Sequence, residues 1–342
     1  MTCQRGLTPP LSIAPMMDRT DRYFRSFMRQ ITRHTLLYTE MITSSALLHG
    51  DRDLLLGYDE VEHPISLQLG GSDPIAMAQC ARIAQDRGYD EVNINVGCPS
   101  DRVQSGQFGA CLMRSPQRVA DCVAAMRDAV SIPVTVKHRI GVDDDDQYED
   151  MAHFVRVVSS ANADRFTVHA RKAWLSGLSP KENRTVPPIR YADVYRLKTE
   201  FQDLAIEING QIKTLEDVHN HLAKLDAVMI GRAAWDNPFV FATVDAEIFG
   251  QPQRQITRSQ IATAMRPQLQ AAKANGKRLG PHLRPMLNLY AGQPGARRWK
   301  QILTTQGFHA DADDSVIEIA LKAVEEIQAR QTVLEESRIP RQ

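Results

Sequence analysis

The stretch AVMIGR, residues 227–232, is the last of eight short runs that decide the fold. Each run is rich in aliphatic and β-branched residues, and helix-like stretches lie between consecutive runs, which is the pattern of successive βα units in a parallel sheet. Towards the N-terminus the other seven runs are AIEING (205–210), FTVHAR (166–171), VTVKHR (134–139), EVNINVG (91–97), ISLQLG (65–70), LLYTEM (36–41) and LSIAP (11–15). Eight parallel strands that end near residue 232 predict a closed (β/α)8 TIM barrel of the α/β class.

The stretches between the runs carry helix signals. Ser115 before Pro116 predicts a helix start, with serine as the N-cap and proline in the first turn. Thr214 and Asp217 resemble a capping box. Gly88 is placed to end the helix that precedes it.

The strand pattern stops after Pro238, and residues from about 257 to 335 have helical spacing, including VIEIALKAVEEIQ at 316–328. A chain of 342 residues exceeds the usual span of one domain. We therefore predict a barrel domain over residues 1–247 and a smaller, all-helical C-terminal domain over residues 248–342.

Charge is unevenly distributed, although the formal net charge is +0. Between Glu247 and Asp311 there is no acidic residue. The same segment carries ten basic residues: Arg254, Arg258, Arg266, Lys273, Lys277, Arg278, Arg284, Arg297, Arg298 and Lys300. This pattern predicts a surface for a polyanion, and the alternative is a solvated helical face that is basic by composition.

No apolar run approaches the roughly 20 residues that a membrane helix needs, and the N-terminal sequence lacks the features of a secretory signal. We predict a soluble, cytoplasmic protein that does not bind a membrane. Five cysteines without a C-x-x-C pair indicate reduced thiols rather than a disulfide framework or a zinc site. The acidic run Asp143–Asp146 is interpreted as a solvated loop rather than a site for a divalent metal, and no metal is predicted.

Polar side chains close most of the predicted strands. In TIM barrels the active site lies at the C-terminal ends of the strands, so these residues are the first candidates for function. In chain order they are Pro15 to Met17, Glu40, Gln68, Asn95 with Cys98, Lys137 with Arg139, His169 with Arg171, Asn209 with Gly210, and Gly231 with Arg232.

The loops after the seventh and eighth predicted strands favour a phosphate. They read Asn209-Gly210-Gln211 and Ile230-Gly231-Arg232, and glycine lets backbone N–H groups approach a phosphate while arginine offers several donors. Either glycine alone would fit a simple turn equally well. Together they predict a ligand that carries a phosphate.

Lys137 and His169 end strands that point into the same mouth. A lysine near the pyrimidine edge of a flavin stabilises its anionic reduced form, so the pair is typical of a flavin site. The alternatives are a surface lysine and a structural histidine.

Cys98 lies in NVGCPSD, directly after the fourth predicted strand. A thiol beside a flavin can act as a general acid. Cys80, Cys111 and Cys122 are instead interpreted as buried apolar residues.

These residues resemble those of the tRNA-dihydrouridine synthases, and of their A-type bacterial subgroup in particular. The similarity extends from about residue 8 to residue 330. The matching stretches are APMMDRTD, LQLGGSDP, NINVGCPSDRVQSGQFGACLM, VTVKHRIGVDD, VHARKAWLSGLSPKENRTVPPIRY and VMIGRAAWDNP.

The resemblance implies a bound FMN, with NADPH as the reductant. Reduced flavin would deliver hydride to C6 of a uracil ring in the D-loop of tRNA, at positions 20 and 20a, while Cys98 protonates C5. The implied cofactor-binding residues are Pro15, Met16, Met17, Gln68, Lys137, His169, Asn209, Gly210, Gln211, Gly231 and Arg232.

The resemblance also implies a tRNA partner, from which the target uridine is flipped into the barrel. The implied tRNA-binding residues are Asn95, Lys181, Arg184, Arg297 and Lys300. No stable protein partner is implied. One position departs from the family pattern: the usual Asn-Gly-Gly is Asn-Gly-Gln here, so Gln211 must present its backbone N–H without glycine's freedom at positive φ.

Two other functions fit parts of the sequence. A flavin barrel that oxidises or reduces a free pyrimidine, such as a dihydroorotate dehydrogenase, has the same general plan but has no need for a basic helical domain. A tRNA-binding protein that promotes folding without catalysis would need neither Cys98 nor the polar strand ends.

Overall fold

Eight parallel strands close into a barrel in residues 8–100, 103 and 106–337, which are the residues that this computed structural model describes. The strands β1 and β2 pair with each other, β1 also pairs with β9, and β2 also pairs with β4, so the ring closes. The strand β3 is a two-residue extension that pairs with the end of β4. The bounds are β1 (Leu11–Ile13), β2 (Leu36–Tyr38), β3 (Ile42–Thr43), β4 (Ile65–Gly70), β5 (Glu91–Val96), β6 (Val134–Arg139), β7 (Arg165–His169), β8 (Ile206–Asn209) and β9 (Ala227–Ile230).

The predicted TIM barrel is confirmed, and each of the eight predicted runs contains a barrel strand. Helices follow the strands along the chain. In the first part of the sequence they are α1 (Arg22–Ile31), α2 (Ser44–His49), α3 (Arg52–Leu56), α4 (Pro74–Asp86), α5 (Pro116–Ala129), α6 (Tyr148–Ser159), α7 (Tyr191–Glu200) and α8 (Leu215–Leu222).

The predicted helix signals match these bounds. The capping box of Thr214 and Asp217 is present at the start of α8. The helix α4 ends at Asp86, and Gly88 follows with φ +88°. Ser115 precedes α5 as its N-cap, but its side chain forms no capping hydrogen bond with the described residues.

Several strands place charged side chains in the barrel interior. Three of them form what we call the barrel charge cluster: Glu91, Arg165 and Glu207. Both glutamates are 0% exposed and Arg165 is 3% exposed. The Nη2 atom of Arg165 lies 2.7 Å from Oε2 of Glu91, and its Nε lies 3.5 Å from Oε2 of Glu207. Buried charges require paired and hydrogen-bonded partners, and the cluster provides both.

Hydroxyl groups add hydrogen bonds to the two carboxylates of the cluster, whereas the buried Nε of Arg165 has no hydrogen-bond partner among the described residues. The side chains of Ser66, Thr135 and Tyr38 donate to Glu91, and those of Ser12 and Thr167 donate to Glu207. Because these donors come from β1, β2, β4, β6 and β7, the cluster joins strands around much of the barrel.

The chain divides into two compact units. The first comprises the residues up to Arg22 together with His34–Gly231, and the second comprises Tyr23–Arg33 together with the chain from Arg232 onward. The sequence placed the boundary between residues 247 and 248. The structural division falls earlier and adds α1 to the second unit.

Hydrogen bonds within the second unit explain this assignment of α1. The carboxylate of Asp245 accepts from the hydroxyl of Thr32 at 2.7 Å and from the backbone N–H of Arg33 at 2.9 Å. Arg254 donates to the carbonyl of Ile31 at 2.7 Å. The C-terminal end of α1 is therefore held by residues that follow the last strand.

The second unit is helical in its described residues, as predicted from the sequence. Its remaining helices are α9 (Arg232–Asp236), α10 (Val244–Glu247), α11 (Arg258–Ala264), α12 (Arg266–Ala274), α13 (Gly280–Leu283), α14 (Ala296–Thr305) and α15 (Ser315–Ser337). Trp299 of α14 is 0% exposed, and its indole N–H donates to the carbonyl of Met286 at 2.8 Å. Among the described helices, none has both the length and the apolar character needed to cross a bilayer.

Candidate active site at the barrel mouth

The amide side chains that end β4 and β5 are joined by hydrogen bonds. Asn95 donates through Nδ2 to Oε1 of Gln68 at 2.8 Å, and Gln68 donates through Nε2 to Oδ1 of Asn93 at 2.9 Å. Asn93 in turn donates to the hydroxyl of Thr135 at 2.9 Å, and that hydroxyl donates to the carboxylate of Glu91. A chain of hydrogen bonds thus connects the barrel charge cluster to the mouth.

Asn95 also orders the loop that carries Cys98. Its Oδ1 accepts the backbone N–H of Gly97 at 3.1 Å and that of Cys98 at 3.0 Å. The carbonyl of Cys98 accepts from the N–H of Ala110 at 2.9 Å. Gly109 permits this close approach, since a Cβ there would lie 2.5 Å from the carbonyl oxygen of Cys98 and φ is +77°.

The thiols differ in their surroundings. Cys98 is partly exposed, and its Sγ lies 3.5 Å from the hydroxyl of Ser100. Cys80 and Cys122 are buried, as predicted, and burial raises the pKa of each to about 12. Cys111 was predicted to be buried but is partly exposed, and its Sγ donates to the carbonyl of Phe108. Burial also raises the pKa of Cys111.

Lys137 reaches across the mouth from β6 to β8. Its Nζ donates to Oδ1 of Asn209 at 3.2 Å, and Nδ2 of Asn209 donates to the carbonyl of Met229 at 2.8 Å. Burial, with the adjacent positive charge of Arg139, lowers the pKa of Lys137 to about 8, while Glu207 acts in the opposite direction. The ammonium group therefore remains mostly charged at pH 7.

His169 ends β7 as a neutral imidazole. Burial and then the positive charges of Arg139 and Lys137 hold its pKa well below the ordinary histidine value. At neutral pH the ring can donate one hydrogen bond and accept one, but it adds no positive charge.

The loops after β8 and β9 come close to the segment after β1. The N–H of Ala14 donates to the carbonyl of Ile230 at 2.8 Å, which extends the pairing of β1 with β9 to the residue before Pro15. A Cβ at Gly231 would lie 3.8 Å from Cβ of Ala14. Met17 is 55% exposed. Arg232 follows as the first residue of α9.

Glycine is required at position 210. Its φ is +128°, a conformation that residues with a side chain rarely adopt, and a Cβ there would lie 3.0 Å from Cδ2 of His169. The next residue, Gln211, has φ +56° although it is not glycine. The departure from Asn-Gly-Gly is thus accommodated by a glutamine in the left-handed region.

These residues form a donor set that suits a flavin with a terminal phosphate. Gly210 and Gly231 place no side chain in the loops after β8 and β9, Lys137 supplies a positive charge, and the neutral His169 supplies hydrogen-bonding atoms. The predicted flavin-binding residues up to Gly231 all lie in the first unit and at the strand ends or the loops that follow them. Their roles as ligands remain predictions.

Sequence reasoning noted Arg139 at a strand end but assigned it no role. Its Nε donates to the carbonyl of Gly97 at 2.9 Å, and its Nη1 donates to the carbonyls of Lys172 and Asn183 at 3.1 and 2.8 Å. Arg139 therefore ties the Cys98 loop to the segment after β7. Its three acceptor carbonyls lie 42, 33 and 44 residues away in the sequence, so only the tertiary structure could reveal them.

The predicted tRNA-binding residues Lys181 and Arg184 lie on the segment after β7, and both are exposed. Asn183 between them is 0% exposed and holds the segment, accepting from the N–H of Trp174 at 2.7 Å and donating to its carbonyl at 2.9 Å. The charge of Arg184 contributes to the lowered pKa of His169, which indicates that Arg184 lies near the mouth.

The acid-free segment of the second unit is only partly available to a ligand. Arg254 pairs with Asp245, and Arg266 pairs with Asp314 at 2.7 Å, so acidic residues outside the segment neutralise part of its charge. Arg258 donates to the carbonyl of Leu289. The exposed cations of the segment are Lys277, Arg278, Arg284, Arg297, Arg298 and Lys300. Arg297 and Lys300 lie three residues apart on α14 and so share a face.

The sequence predicted that the acidic run Asp143–Asp146 is a solvated loop, but the structure shows that it forms ion pairs. Asp143 and Asp145 pair with Arg114, and Asp146 pairs with Lys172 and Arg190. These partners lie far away in the sequence, which is why the pairing was not predicted. In the described part of the chain, no group of three or more His, Cys, Asp or Glu residues has the arrangement of a metal site.

The fold and the mouth together define a TIM-barrel protein in which the partly exposed thiol of Cys98 lies on a loop after β5, at the end of the barrel where cationic and amide side chains close the strands. The sequence profile of the family described as "Dihydrouridine synthase (Dus)" matches residues 12–328. The chain belongs to the dihydrouridine synthase family, and the enzyme class predicted from the sequence is confirmed.

Curated relatives agree with this assignment. The chain is 58% identical over 314 residues to the tRNA-dihydrouridine(20/20a) synthase of Synechocystis sp., covering 92% of this chain and 94% of that one. It is 55% identical to the enzyme of the same name from Escherichia coli (strain K12), covering 92% and 91%, and 53% identical to that of Vibrio parahaemolyticus, covering 92% and 96%.

A solved structure supports the fold alone. A 2-naphthoyl-CoA reductase complex superposes with a TM-score of 0.50 at 11% identity, over 69% of this chain and 49% of that chain.

Proposed function

We propose that this enzyme reduces uridines 20 and 20a in the D-loop of tRNA to 5,6-dihydrouridine, with FMN as the bound cofactor and NADPH as the reductant. The tRNA positions 20 and 20a are those in the names of the relatives, which are 58% and 55% identical to this chain over 92% of its length. We also propose that the reaction takes place in the cytoplasm, the location expected from the sequence.

The observation that carries the proposal is the ordered position of Cys98. Both Asn95 and Ala110 bind its backbone, so the thiol is presented on a defined loop directly after β5. A thiol in this position can donate a proton to C5 of a uracil ring that enters the mouth.

In our proposal the other residues of the mouth bind the FMN cofactor or orient the side chains that do so. Bound FMN supplies the hydride for C6. Lys137 would offer a cation to the pyrimidine edge of the flavin, and His169 would offer a neutral hydrogen-bonding group. Asn209 accepts a hydrogen bond from Lys137. The residues that would bind the terminal phosphate in our proposal are Gly210, Gln211, Gly231 and Arg232. On the neighbouring strands β4 and β5, the side chains of Gln68 and Asn95 orient each other through a hydrogen bond.

The tRNA must present a uridine that is extruded from its surroundings, at a cost of a few kcal/mol. Phosphate contacts to exposed cations offset that cost without reading the sequence. The exposed Lys181 and Arg184 of the first unit and the exposed Arg297 and Lys300 of the second unit serve this role in our proposal.

The central experiment compares two cysteine variants of the purified protein. We expect a flavin absorption band in the wild type and NADPH-driven dihydrouridine formation in bulk tRNA. Cys98→Ala should retain the flavin band and lose product formation. Cys111→Ala is the matched control, since that thiol is also partly exposed but hydrogen-bonds to the carbonyl of Phe108, and it should retain activity.

Other outcomes separate the alternatives. A flavin band with turnover of a free pyrimidine and none of tRNA would support a free-pyrimidine enzyme. Lack of flavin after reconstitution with FMN would contradict the assignment of the whole mouth. Full activity of Cys98→Ala would contradict the role of the thiol.

A charge-reversal experiment tests the tRNA surface. Arg297→Glu with Lys300→Glu should weaken tRNA binding at low salt and leave flavin content unchanged. Lys277→Glu with Arg298→Glu is the control, because it changes the net charge of the second unit equally at exposed positions without a predicted role. Equal weakening in both double variants would contradict a specific site and indicate general electrostatic attraction.

A further inference from the structure

Gln211 has an unfavourable backbone conformation for a residue with a side chain. Its φ of +56° lies in the left-handed region, which costs a residue other than glycine or asparagine free energy. Such a conformation persists where the surroundings determine it, and it often marks a functional position. The surroundings of Gln211 should therefore contain the interaction that holds it.

That interaction is a hydrogen bond to a buried arginine. The Nη2 atom of Arg171 donates to Oε1 of Gln211 at 2.6 Å, and Arg171 is nearly buried. The Nη1 atom of the same guanidinium approaches the carbonyl of Thr185 at 3.4 Å. Arg171 thus contacts both the loop after β8 and the segment that carries Lys181 and Arg184.

The 172–190 segment, which runs from Lys172 to Arg190, begins and ends against that same loop and its strand. Ala170, just before the segment, donates its N–H to the carbonyl of Asn209 at 2.9 Å, and Arg190 at its end donates its N–H to the carbonyl of Ala170 at 2.9 Å. The hydroxyl of Tyr191, the next residue, donates to the carbonyl of Gly210 at 2.6 Å. These bonds hold the ends of the segment.

Among the described residues, two arginines outside the segment form hydrogen bonds to its middle. Arg139 donates to the carbonyl of Asn183, and Arg171 approaches the carbonyl of Thr185. Arg171 can hold Thr185 only if its own guanidinium is oriented, and the carboxamide of Gln211 is an acceptor placed to orient it. A glycine at position 211 would lack this acceptor.

We propose that Gln211 is a positioning residue that orients Arg171 and thereby holds Lys181 and Arg184 in place for the polyanionic substrate. The role of the two cations in binding tRNA rests on the proposed function. The effect of Gln211 on the order of the 172–190 segment does not depend on it.

Amide hydrogen exchange of the purified protein tests the proposal directly. In Gln211→Gly the exchange of residues 172–190 should rise about tenfold, as expected for the loss of a hydrogen bond to a charged group. The thermal unfolding midpoint should stay the same or rise, because glycine adopts the left-handed conformation without strain. A purely structural role for Gln211 would instead lower the midpoint without a local change.

Gln211→Glu is the conservative variant. It retains an acceptor for Arg171, so exchange of the 172–190 segment should stay at the wild-type level. Wild-type exchange in Gln211→Gly, or equal exchange in the two variants, would overturn the proposal.

Affinity for tRNA, measured on the same samples, separates this proposal from the proposed function. We expect Gln211→Gly to weaken tRNA binding severalfold, as Lys181→Glu with Arg184→Glu should do more strongly. If the charge-reversed variant binds weakly and Gln211→Gly binds normally, the positioning role is wrong. If neither changes the affinity while exchange rises in Gln211→Gly, the orienting bond stands and the tRNA role of the two cations is wrong.

Discussion

Replacing Arg165 with methionine tests whether the barrel charge cluster stabilises the fold. The substitution leaves two fully buried carboxylates without the guanidinium that contacts both of them, and it removes donors to Glu91 and to the hydroxyl of Tyr38. Breaking a buried ion pair by removing one partner costs about 3–5 kcal/mol. For a unit of this size, that loss corresponds to a decrease in the unfolding midpoint of roughly 6–20 °C.

The assay is urea denaturation followed by circular dichroism at pH 7, with Arg87→Met as the matched control. Arg87 pairs with Asp53 at the surface, where the median contribution of an ion pair is about 0–1 kcal/mol. The double variant Arg165→Met with Glu91→Gln should recover part of the loss, because it leaves fewer uncompensated charges in the barrel.

The loss of stability in Arg165→Met should also depend on pH. A buried carboxylate that has lost its cation binds a proton at higher pH than an exposed one, so the deficit of Arg165→Met should shrink as the pH falls from 8 to 5. A loss below about 1 kcal/mol at pH 7, or a deficit independent of pH, would refute the electrostatic account of the cluster.

Three further predictions concern the mouth and the second unit. Asn95→Ala removes the acceptor that orders the Cys98 loop, so the rate of dihydrouridine formation should fall about tenfold or more while the flavin content measured by absorbance stays unchanged. The pKa of Lys137 is lowered to about 8, so its positive charge is lost as the pH rises through that value. FMN affinity, measured by fluorescence quenching, should therefore fall between pH 7 and 9.5 more steeply in the wild type than in Lys137→Met. Trp299→Ala should lower the free energy of unfolding of the second unit by about 3–5 kcal/mol, and a change below about 1 kcal/mol in calorimetry would contradict its place in that core.

The barrel and the position of its site could be predicted from local patterns. Each of the eight runs contains a strand because aliphatic and β-branched residues favour strands wherever they are bounded by turn residues. The order of strand and helix then favours a parallel barrel, and the C-terminal ends of its strands identify the mouth. Cys98 and Lys137 were therefore singled out without any knowledge of their contacts.

The pairing of charged side chains could not be predicted in this way. Lys137 and Asn209 are 72 residues apart, and Arg171 and Gln211 are 40 apart. A strand pattern shows which residues face inward, but it does not show which of them meet, because barrel closure brings together side chains from strands that are distant in the sequence.

What the sequence by itself determined is the type and order of the elements, the family to which the chain belongs and the end of the barrel that holds the site. Only the tertiary structure decided that α1 joins the second unit through Asp245 and that Asp143, Asp145 and Asp146 pair with distant cations. It also decided that Gln211 adopts a left-handed backbone against Arg171. The physical reason is that periodicity and turn chemistry act over a few residues, whereas ion pairs and buried hydrogen bonds form wherever folding leaves complementary groups within about 3 Å.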